Sequence, residues 1–327
     1  MDNHLKEALN DFKKRKILVM GDIILDRFTW GVIERVNPEQ NAAPLVKVVS
    51  ESYILGGAAN VASNIASLSA KVSLYGFLGN DSYSKEIQRL CQEQNIQLHT
   101  FYNNQPTIVK QRIMADRQQV TRVDFGETKL GTLSRKIQEE ILDELNNTIS
   151  EHDLIILSDY NKGFFDSFLS RGIIETTNSY KIPILVDLKP ANMDFFNGCT
   201  IICPNEREAQ EMSGIKYQNG NETLSKIGKK LSERMNSQYV IITCGKDGAF
   251  SYHNGSSEHI PTFAKQVSDV TGAGDTFAAA LALGFSSGLS IHDSTRLANY
   301  AASIVVEKVG TATASLEELI SRIENKK

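Results

Sequence analysis

Long apolar runs are absent from this sequence, and so is an excess of basic residues. No stretch reaches the roughly 18 apolar residues that a membrane-spanning helix needs. The opening stretch MDNHLKEALNDFKKRK lacks the apolar centre of a signal peptide and predicts an amphipathic helix. With a net charge of −4 at pH 7, the chain offers no strong attraction to nucleic acid. We therefore expect a cytoplasmic protein whose partners include neither a membrane nor a nucleic acid.

Cysteine and histidine are scarce as well. The sequence has six histidines without metal-ligand spacing, and four cysteines, which are Cys91, Cys199, Cys203 and Cys244. Cys199 and Cys203 have no second Cys or His pair at ligand spacing, so no zinc site is predicted. Cys203 and Cys244 follow apolar runs and are predicted to be buried thiols in a reducing compartment.

Two common nucleotide-binding motifs are also absent. The phosphate-binding motif G-x-x-x-x-G-K-[ST] does not occur, and no G-x-G-x-x-G follows the first predicted strand. The chain is therefore not predicted to be a P-loop enzyme. An NAD-dependent oxidoreductase is the least favoured enzyme class.

The sequence does contain an alternation of apolar strands and amphipathic helices. Buried strands are predicted at 16–21, 71–79, 153–160, 182–188, 199–205 and 238–245. Helical patterns occur at 58–70, 82–94, 134–149, 207–214 and 224–235. This alternation predicts an α/β fold with a mostly parallel central sheet flanked by helices.

Two segments, 28–55 and 107–127, do not fit that alternation. Both are rich in β-branched residues with nearly alternating polarity, and the second has a polar middle suited to a hairpin. Neither fits a strand–helix–strand unit. They predict a small β-sheet appended to the main domain.

The stretch DVTGAGDTFAAALALG (269–284) places Gly272, Ala273 and Gly274 directly before Asp275. If a helix begins near Ala273, its first N–H groups lack partners inside the helix, and its dipole favours an anion there. Glycine lets a ligand approach that backbone closely. We predict an anion cradle beside Asp275, suited to phosphoryl transfer, in which Asp275 orients an acceptor hydroxyl and takes its proton. A glycine-lined helix start with an acidic first turn would give the same pattern.

Two motifs near the front suggest ligand contacts. In LGGAANVASNIASLSA (55–70), Gly56 and Gly57 precede a helix that carries Asn60, which can donate to and accept from sugar hydroxyls. In GDIILDR (21–27), Asp26 lies at or past the carboxyl end of the first strand, where ligands of open parallel sheets gather. Tight helix–sheet packing and ordinary loop carboxylates are the alternatives.

Two later motifs suggest a nucleotide with its metal. In CPNEREAQ (203–210), Asn205 and Glu208 can share a face as a helix begins, which suits water-coordinated Mg²⁺ near phosphates. The same spacing is that of a capping box. In TCGKDGAF (243–250), Thr243 and Gly245 flank a glycine turn between two strands and suit a nucleotide contact, although a bare hairpin has the same pattern.

Together, the motifs resemble the signatures of the PfkB carbohydrate kinase family, which has the ribokinase-like fold. GGAAN and DVTGAGDTFAAALALG are similar to its two signatures, and NERE is similar to its N-x-x-E magnesium motif. The resemblance covers nearly the whole chain and implies a single kinase domain over 1–327 that phosphorylates a sugar with ATP and Mg²⁺. It also implies a lid, formed by about 28–55 and 107–127, that covers the sugar and often mediates a homodimer. A monovalent cation near 269–271 is left open.

The resemblance implies a role for each matching residue. Asp275 matches the catalytic base, and Gly272, Ala273 and Gly274 match the anion hole. Asn205 and Glu208 match the magnesium–phosphate motif, mostly through water. The nucleotide positions are Thr243, Gly245, Gly248 and Asn299. The sugar-contacting positions are Asp26, Gly56, Gly57 and Asn60.

Several stretches resemble one subgroup, the D-glycero-β-D-manno-heptose-7-phosphate kinases of ADP-heptose and lipopolysaccharide core precursor synthesis. They are GDIILDRFTWGVIERVNPE, PLVKVVSE, TIVKQRIMADRQQVTRVDFGE, LSDYNKG, DLKP and VGTATAS. DLKP and NKG depart from the more usual D-P-K and G-K-G. This kinase is often fused to a nucleotidyltransferase domain with an H-x-G-H motif. Because no such motif follows here, we expect a stand-alone kinase or a kinase half.

A substrate that already carries a phosphate requires cations at the sugar end of the cleft. Lys110 and Arg112 are two apart on a predicted strand, so they share one face and are predicted to bind substrate. Arg can grip a phosphate with two parallel hydrogen bonds, and Lys acts as a point charge. Further candidates are Arg35, Arg117, Arg122 and Lys189. Alternating charge would equally mark the solvated face of a small sheet.

Three other functions stay open. One is another PfkB-type kinase, acting on fructose 1- or 6-phosphate, ribose or a nucleoside. Another is a non-catalytic nucleotide or sugar sensor on the same fold, against which the intact Asp275, Asn205 and Glu208 argue. The third is a structural protein with a dimerising β-sheet, which would show no thermal shift with ATP.

Overall fold

The computed structural model of the chain describes residues 3–36, 44–102, 105–115, 118–126, 133–218, 220–264, 266–308 and 310–325. The strands are β1 (Lys16–Gly21), β2 (Ile23–Val36), β3 (Pro44–Gly57), β4 (Lys71–Leu78), β5 (Gln97–Tyr102), β6 (Ile108–Ala115), β7 (Gln118–Phe125), β8 (Leu154–Ser158), β9 (Ile184–Asp187), β10 (Ile201–Ile202), β11 (Tyr239–Thr243), β12 (Ala249–His253) and β13 (Ser256–Ile260). The helices are α1 (Asn3–Asp11), α2 (Ala58–Ser67), α3 (Ser82–Glu93), α4 (Arg135–Thr148), α5 (Ser167–Tyr180), α6 (Glu206–Ser213), α7 (Asn221–Met235), α8 (Ala273–Ser286), α9 (Ile291–Val305) and α10 (Leu316–Glu324).

A nine-stranded sheet lies at the centre, in the order β13-β12-β11-β10-β9-β8-β1-β4-β5. Its strands from β11 through β5 in this order run parallel, and β11, β12 and β13 are antiparallel neighbours. The predicted α/β fold with a mostly parallel sheet is confirmed. The predicted strand 199–205 is shorter than expected, because only Ile201–Ile202 pairs before Pro204, which has no N–H to donate to a ladder.

Apolar side chains cover both faces of the central sheet, as its parallel strands require. In β1, Ile17 and Val19 point into one apolar cluster, and Leu18 and Met20 point into the other. The first cluster draws on α1, α2, α3, α8, α9 and α10, and the second on α4, α5, α6 and α7. Among the described residues, no helix has the length and apolar content that crossing a membrane requires.

The two irregular segments form a separate small sheet in the order β3-β2-β6-β7, which we call the small sheet. Strand β2 pairs antiparallel with β3 and parallel with β6, and β6 and β7 form the predicted hairpin. The predicted start at residue 28 is too late, because Ile23 already pairs with Gly57. Asp26 therefore lies within this sheet, and not in a loop after the first strand. Of the two predicted segments, residues 37–43, 116–117 and 127 lie outside the described residues.

Asp81, at the start of α3, ties the small sheet to the central one. Its carboxylate caps α3 by accepting a hydrogen bond from the Ser84 N–H at 2.9 Å. It also accepts hydrogen bonds from the N–H (2.8 Å) and hydroxyl (2.9 Å) of Thr107, directly before β6. The beginning of β6, and with it the side chains of that strand, is therefore held at the carboxyl edge of β4.

Candidate active site

Helix α8 begins at Ala273, as predicted, with Gly272 as its N-cap. Gly272 has a φ of 80°, in the left-handed region that favours glycine. The Ala273 N–H donates to the Val270 carbonyl at 3.2 Å. The first hydrogen bond of the helix runs from the Thr276 N–H to the Gly272 carbonyl. Positions 274 and 275 therefore carry the N–H groups that a helix start leaves without an intrahelical acceptor.

The loop before α8 is held by Asp269. One of its oxygens accepts hydrogen bonds from the N–H (2.9 Å) and the hydroxyl (2.7 Å) of Thr271. The other accepts from the Gly310 N–H at 3.1 Å. Burial acts to raise the pKa of Asp269, but these hydrogen bonds outweigh it and the pKa lies below the usual value.

Asp275 lies in the first turn of α8 and is buried, with 5% of its surface exposed. Its Oδ2 accepts a hydrogen bond from Asn60 Nδ2 at 2.6 Å, and its Oδ1 accepts one from the Tyr160 hydroxyl at 2.7 Å. Burial raises the pKa of Asp275 to about 6, and these two hydrogen bonds limit the rise. At neutral pH the carboxylate is therefore ionised but close to its protonation range, which suits a general base.

Three adjoining pockets meet around Asp275. The front pocket, of about 180 Å³, lies against the small sheet; the central pocket, of about 150 Å³, lies beyond Asp275; and the apolar pocket, of about 430 Å³, lies beyond the start of α8. Gly272, Asp275 and Tyr160 line both the front and the central pocket. Asn205, Thr243 and Gly274 line both the central and the apolar pocket. A ligand in each outer pocket would therefore reach the central one.

The front pocket brings together the predicted sugar-contacting residues and the two predicted cations. They are Asp26, Gly56, Gly57, Asn60, Lys110 and Arg112. Arg112 Nη2 lies 3.5 Å from Asp26 Oδ1. Burial raises the pKa of Asp26, and the positive charges of Arg112 and Lys110 oppose that rise.

Two buried polar atoms of the front pocket show that it suits a polar ligand. Within the described residues, Asp26 Oδ1 and Thr311 Oγ1 have no hydrogen-bond partner. Buried polar atoms are normally satisfied, so a hydroxyl-rich molecule would complete both.

The other cation candidates lie elsewhere. Arg122 pairs with Asp124 on its own strand at 2.8 Å, and Lys189 lies in the central pocket. Arg117 and the side chain of Arg35 lie outside the described residues.

The central pocket combines a capped helix with a partly buried ion pair. Asn205 caps α6 by accepting from the Glu208 N–H at 2.9 Å, and Glu208 Oε2 accepts from the Asn205 N–H at 3.0 Å. The capping box considered from the sequence is therefore present. The other oxygen of Glu208, Oε1, takes no part in the capping box and pairs with Lys189 Nζ at 2.6 Å. Capping and a second polar contact are thus compatible, because the carboxylate uses a different oxygen for each.

Asp187, at the end of β9, also lines the central pocket. Burial raises the pKa of Asp187 to about 7, although Lys189 opposes the rise. For Lys189, burial lowers the pKa, but the neighbouring Asp187 and Glu208 outweigh it and hold the pKa above its usual value.

The apolar pocket contains the predicted nucleotide residues Thr243, Gly245, Gly248 and Asn299. Val267, Val270, Ala273 and Phe277 add an apolar lining suited to a flat ring. Asn299 Nδ2 donates to the carbonyls of Ile260 (3.3 Å) and Pro261 (2.7 Å), which fixes the chain after β13 against α9.

Sequence reasoning assigned no role to two lining residues, Tyr160 and Asp187. Tyr160 follows β8, and Asp187 ends β9. Both therefore lie at the carboxyl edge of the parallel sheet, where ligands bind in such sheets. That position was the available signal. The hydrogen bond between Tyr160 and Asp275, however, joins residues 115 positions apart.

The sequence matches one known family of enzymes over most of its length. The sequence profile of the pfkB family carbohydrate kinases matches residues 14–319. The chain belongs to this family. The predicted PfkB membership is therefore confirmed.

Curated relatives of this PfkB kinase are longer than the chain itself. The bifunctional protein HldE of a Nitratiruptor species is 36% identical over 306 residues, which cover 94% of this chain and 64% of the relative. The bifunctional protein HldE of Helicobacter pylori is 39% identical over 307 residues, which cover 93% of this chain and 65% of the relative. The chain thus spans just under two thirds of the length of these relatives.

Solved structures show the same fold at low identity. A ribokinase of Arabidopsis thaliana, complexed with ribose and ATP, has a TM-score of 0.75 and 20% identity, covering 95% of this chain and 99% of that one. The tetrameric inhibited form of phosphofructokinase-2 from Escherichia coli has a TM-score of 0.78 and 15% identity, covering 95% and 98%. The predicted ribokinase-like fold of this PfkB kinase is confirmed.

Proposed function

We propose that this PfkB kinase transfers the γ-phosphoryl group of ATP to the anomeric hydroxyl of D-glycero-β-D-manno-heptose 7-phosphate. The product would be the 1,7-bisphosphate, a precursor of ADP-heptose and the lipopolysaccharide core. The observation that carries the proposal is the position of Asp275, whose buried carboxylate separates a polar front pocket from a central pocket at a helix start.

The apolar pocket would hold the nucleoside of ATP, and the phosphates would extend into the central pocket. There, the backbone N–H groups at 274 and 275 would donate to the transferring phosphoryl group, and the positive end of the α8 dipole would favour its charge. Lys189 would add a cation. These groups are fixed by the fold, so they cost little reorganisation during the reaction.

Asp275 would orient the anomeric hydroxyl and accept its proton as that oxygen attacks. Each carboxylate oxygen has two acceptor positions, so the hydrogen bonds from Asn60 and Tyr160 leave one free on each oxygen. Asp26 and Asn60 would position the sugar hydroxyls, with Gly56 and Gly57 allowing close approach. Positioning and charge stabilisation would supply most of the rate, as is general for phosphoryl transfer.

Asn205 and Glu208 would hold Mg²⁺ mostly through water. Among the described residues, no cluster of three or more His, Cys, Asp or Glu side chains could hold a metal ion directly. The oxygens of Glu208 and Asp187 nevertheless line the central pocket, which fits a metal that keeps its waters and binds phosphate oxygens. When bound, Mg²⁺ would neutralise part of the phosphate charge. A monovalent cation near 269–271 would have to share Asp269 with its present hydrogen-bond donors.

The 7-phosphate is the part of the substrate that requires cations, and Lys110 and Arg112 in the front pocket supply them. The stretches that resemble heptose-7-phosphate kinases, and the curated relatives named HldE, support the same choice. We further propose that residues 1–327 act as a single kinase domain in the cytoplasm. The small sheet would serve as its lid and as a homodimer interface, since Val48 (53%) and Val49 (72%) are exposed on it.

The first experiment is an ADP-release assay with Mg·ATP and a sugar panel. The panel holds D-glycero-D-manno-heptose 7-phosphate, fructose 1-phosphate, fructose 6-phosphate and ribose. We expect turnover on the heptose phosphate, and a loss of about a hundredfold or more in kcat for Asp275→Asn with little change in the KM for ATP. Asp143→Asn, an exposed change on α4, is the matched control and should leave kcat unchanged.

The outcomes separate the alternatives. Turnover on a different sugar would discard the heptose assignment and keep the kinase mechanism. Near-normal turnover of a folded Asp275→Asn variant would refute the role of Asp275. ATP binding without turnover on any sugar would favour a nucleotide sensor.

A further inference from the structure

Tyr160 stands at the boundary between the front and central pockets. Its hydroxyl donates to Asp275 Oδ1 at 2.7 Å, and its side chain lines both pockets. It reaches Asp275 from the chain after β8, whereas Asn60 reaches the other carboxylate oxygen from α2. Each oxygen of the proposed base thus has one donor from a different element.

The chain that carries Tyr160 is fixed by another buried carboxylate. Asp22 is fully buried and accepts hydrogen bonds from the N–H groups of Tyr160 (2.9 Å), Lys162 (3.0 Å) and Phe164 (3.1 Å). Three donors on one carboxylate define the path of this segment. The Tyr160 hydroxyl is therefore presented to Asp275 by a rigid backbone.

Two lysines of the site lie near the ring of Tyr160. Lys110 Nζ and Lys189 Nζ each lie 5.6 Å from the ring centroid, within cation–π range. Lys110 belongs to the front pocket and Lys189 to the central pocket. The ring is thus within reach of one lysine near the proposed sugar phosphate and of another near the proposed γ-phosphate.

We propose that Tyr160 is a positioning residue that aims the Asp275 carboxylate and keeps it ionised for proton removal. The proposal rests on the proposed function of Asp275 as the base. A hydrogen bond to one oxygen fixes the rotation of the carboxylate, so its free acceptor position points in a defined direction. The same bond favours the charged form in a buried place where charge is otherwise disfavoured.

Charged groups from the surrounding elements act on Asp275 in opposite directions. Asp26 of β2 raises its pKa, and Lys189, after β9, lowers it. Asp187 at the end of β9 is coupled to Asp275 by like-charge repulsion. Burial is the largest cause that raises the pKa of Asp275, and the hydrogen bonds from the neutral donors Asn60 and Tyr160 are the first to oppose it.

Tyr160 itself keeps its proton and does not act as the base. Burial and the neighbouring Asp275 raise the pKa of Tyr160 well above its ordinary value. It therefore remains a hydrogen-bond donor throughout the pH range in which Asp275 titrates.

The test is Tyr160→Phe, which removes the hydroxyl and keeps the ring that both lysines approach. Carbon-13 NMR of protein labelled at the aspartate carboxyl carbon reports the titration of Asp275, whose signal is identified by its absence in Asp275→Asn. We expect the titration midpoint to rise by about one pH unit in Tyr160→Phe. The acid side of the kcat/KM profile should move upward with it, so that activity falls more at pH 6 than at pH 8.

The matched control is Tyr75→Phe, which removes a buried hydroxyl that hydrogen-bonds Thr148 at 3.0 Å, away from the site. It should leave both the Asp275 midpoint and the profile unchanged. An unmoved midpoint in folded Tyr160→Phe would overturn the proposal, even if activity fell equally at every pH. Wild-type protein that turns over no sugar would instead count against the proposed function, and the NMR midpoint would still decide the inference about Tyr160.

Discussion

Two glycines leave room for the side chains of the proposed sugar-contacting residues Asp26 and Asn60. A Cβ at Gly56 would come within 2.5 Å of Asp26 Oδ2, so a larger residue would displace that carboxylate. A Cβ at Gly272 would lie 3.0 Å from Asn60 Nδ2, at a φ that only glycine adopts readily. Both glycines therefore serve packing within the protein. Gly274 differs, because a Cβ there would meet no atom within 4 Å.

Gly274→Ala should separate folding from catalysis. The new methyl group would occupy open space where the central and apolar pockets join, next to the proposed path of the ATP phosphates. Because alanine is the better helix former, we expect the free energy of unfolding to stay equal or to rise by up to about 1 kcal/mol. Displacement of the phosphates should lower kcat/KM for ATP by roughly a hundredfold. Urea unfolding and steady-state kinetics measure the two effects.

Gly284→Ala is the matched control in the same helix. Its Cβ would meet Leu297 and Ser294 of α9 at 3.2 Å, far along α8 from the pockets. Any change should therefore appear in stability and not in the KM for ATP. If Gly274→Ala bound and turned over ATP normally, the start of α8 would not be the phosphate-binding element.

Among whole elements, those with a strong local pattern were predicted well. The apolar strands β1, β4, β8, β9 and β11, and the helix start at Ala273, follow from runs and small residues that are visible in the sequence. Strand β5 was missed, because QLHTFY mixes polar and apolar residues at a half-exposed edge. The start of β2 was placed late, because its pairing with Gly56 and Gly57 is a long-range contact without a local signal.

The candidate site was predictable to the extent that each residue marked a strand end or helix start. Asp275 and Asn205 have such positions, at the starts of α8 and α6, and the structure brings both to the central pocket. Asp26 has no such position, because it lies inside β2. The Tyr160–Asp275 hydrogen bond joins residues 115 positions apart, and the Lys189–Glu208 pair joins the chain after β9 to the first turn of α6. Pairings of this kind follow from the assembled fold and not from spacing.

The β6–β7 hairpin should determine recognition of the substrate phosphate. Arg112 on β6 lines the front pocket, so Arg112→Ala should raise the KM for the sugar phosphate by roughly ten- to a hundredfold, as loss of a charged hydrogen bond predicts. The KM for ATP should change little. Steady-state kinetics at low and high salt measure both constants, and the effect should shrink as salt screens the phosphate.

Arg122→Ala on β7 is the control for this prediction. Arg122 lies opposite Arg112 in the hairpin but pairs with Asp124, so its loss should have a much smaller effect on the sugar KM. Equal effects of the two changes would mean that the hairpin contributes only a diffuse positive charge. No effect of either change would place the phosphate elsewhere.

Taken as a whole, the molecule concentrates buried acids at the carboxyl edge of its central sheet. Asp22, Asp187 and Asp275 come from three distant parts of the sequence, and burial raises the pKa of these groups to about 6, about 7 and about 6 respectively. A net charge of only −4 gives no sign of this concentration. This concentration of acids follows from the fold. We expect these acids to lower the stability of the protein in order to keep the site charged.

The loss of stability caused by the buried charge of Asp187 should appear in the pH dependence of the free energy of unfolding. A carboxyl group whose pKa is higher in the folded protein than in the unfolded chain binds its proton more tightly when folded. Its contribution to stability is therefore fully present below the unfolded pKa, near 3.8, and is lost as the pH rises from there to about 7. Asp187→Asn removes the titrating group, so the free energy of unfolding of the ligand-free variant should rise relative to that of wild type between about pH 4 and pH 7 and stay above it near pH 8. Urea unfolding at a series of pH values measures the difference.

The exposed change Asp143→Asn on α4 is the control, because it removes a carboxylate outside the site. A variant at Asp187 that is less stable than wild type at pH 8 would show that the attraction of Asp187 to the positive charge of Lys189 outweighs burial, contrary to the direction expected here. Because Asp187 also faces the proposed phosphate position, the same variant should bind Mg·ATP differently. If Asp187→Asn is more stable than wild type at pH 8 without ligand and also binds ATP differently, Asp187 serves ligand binding at a cost in stability.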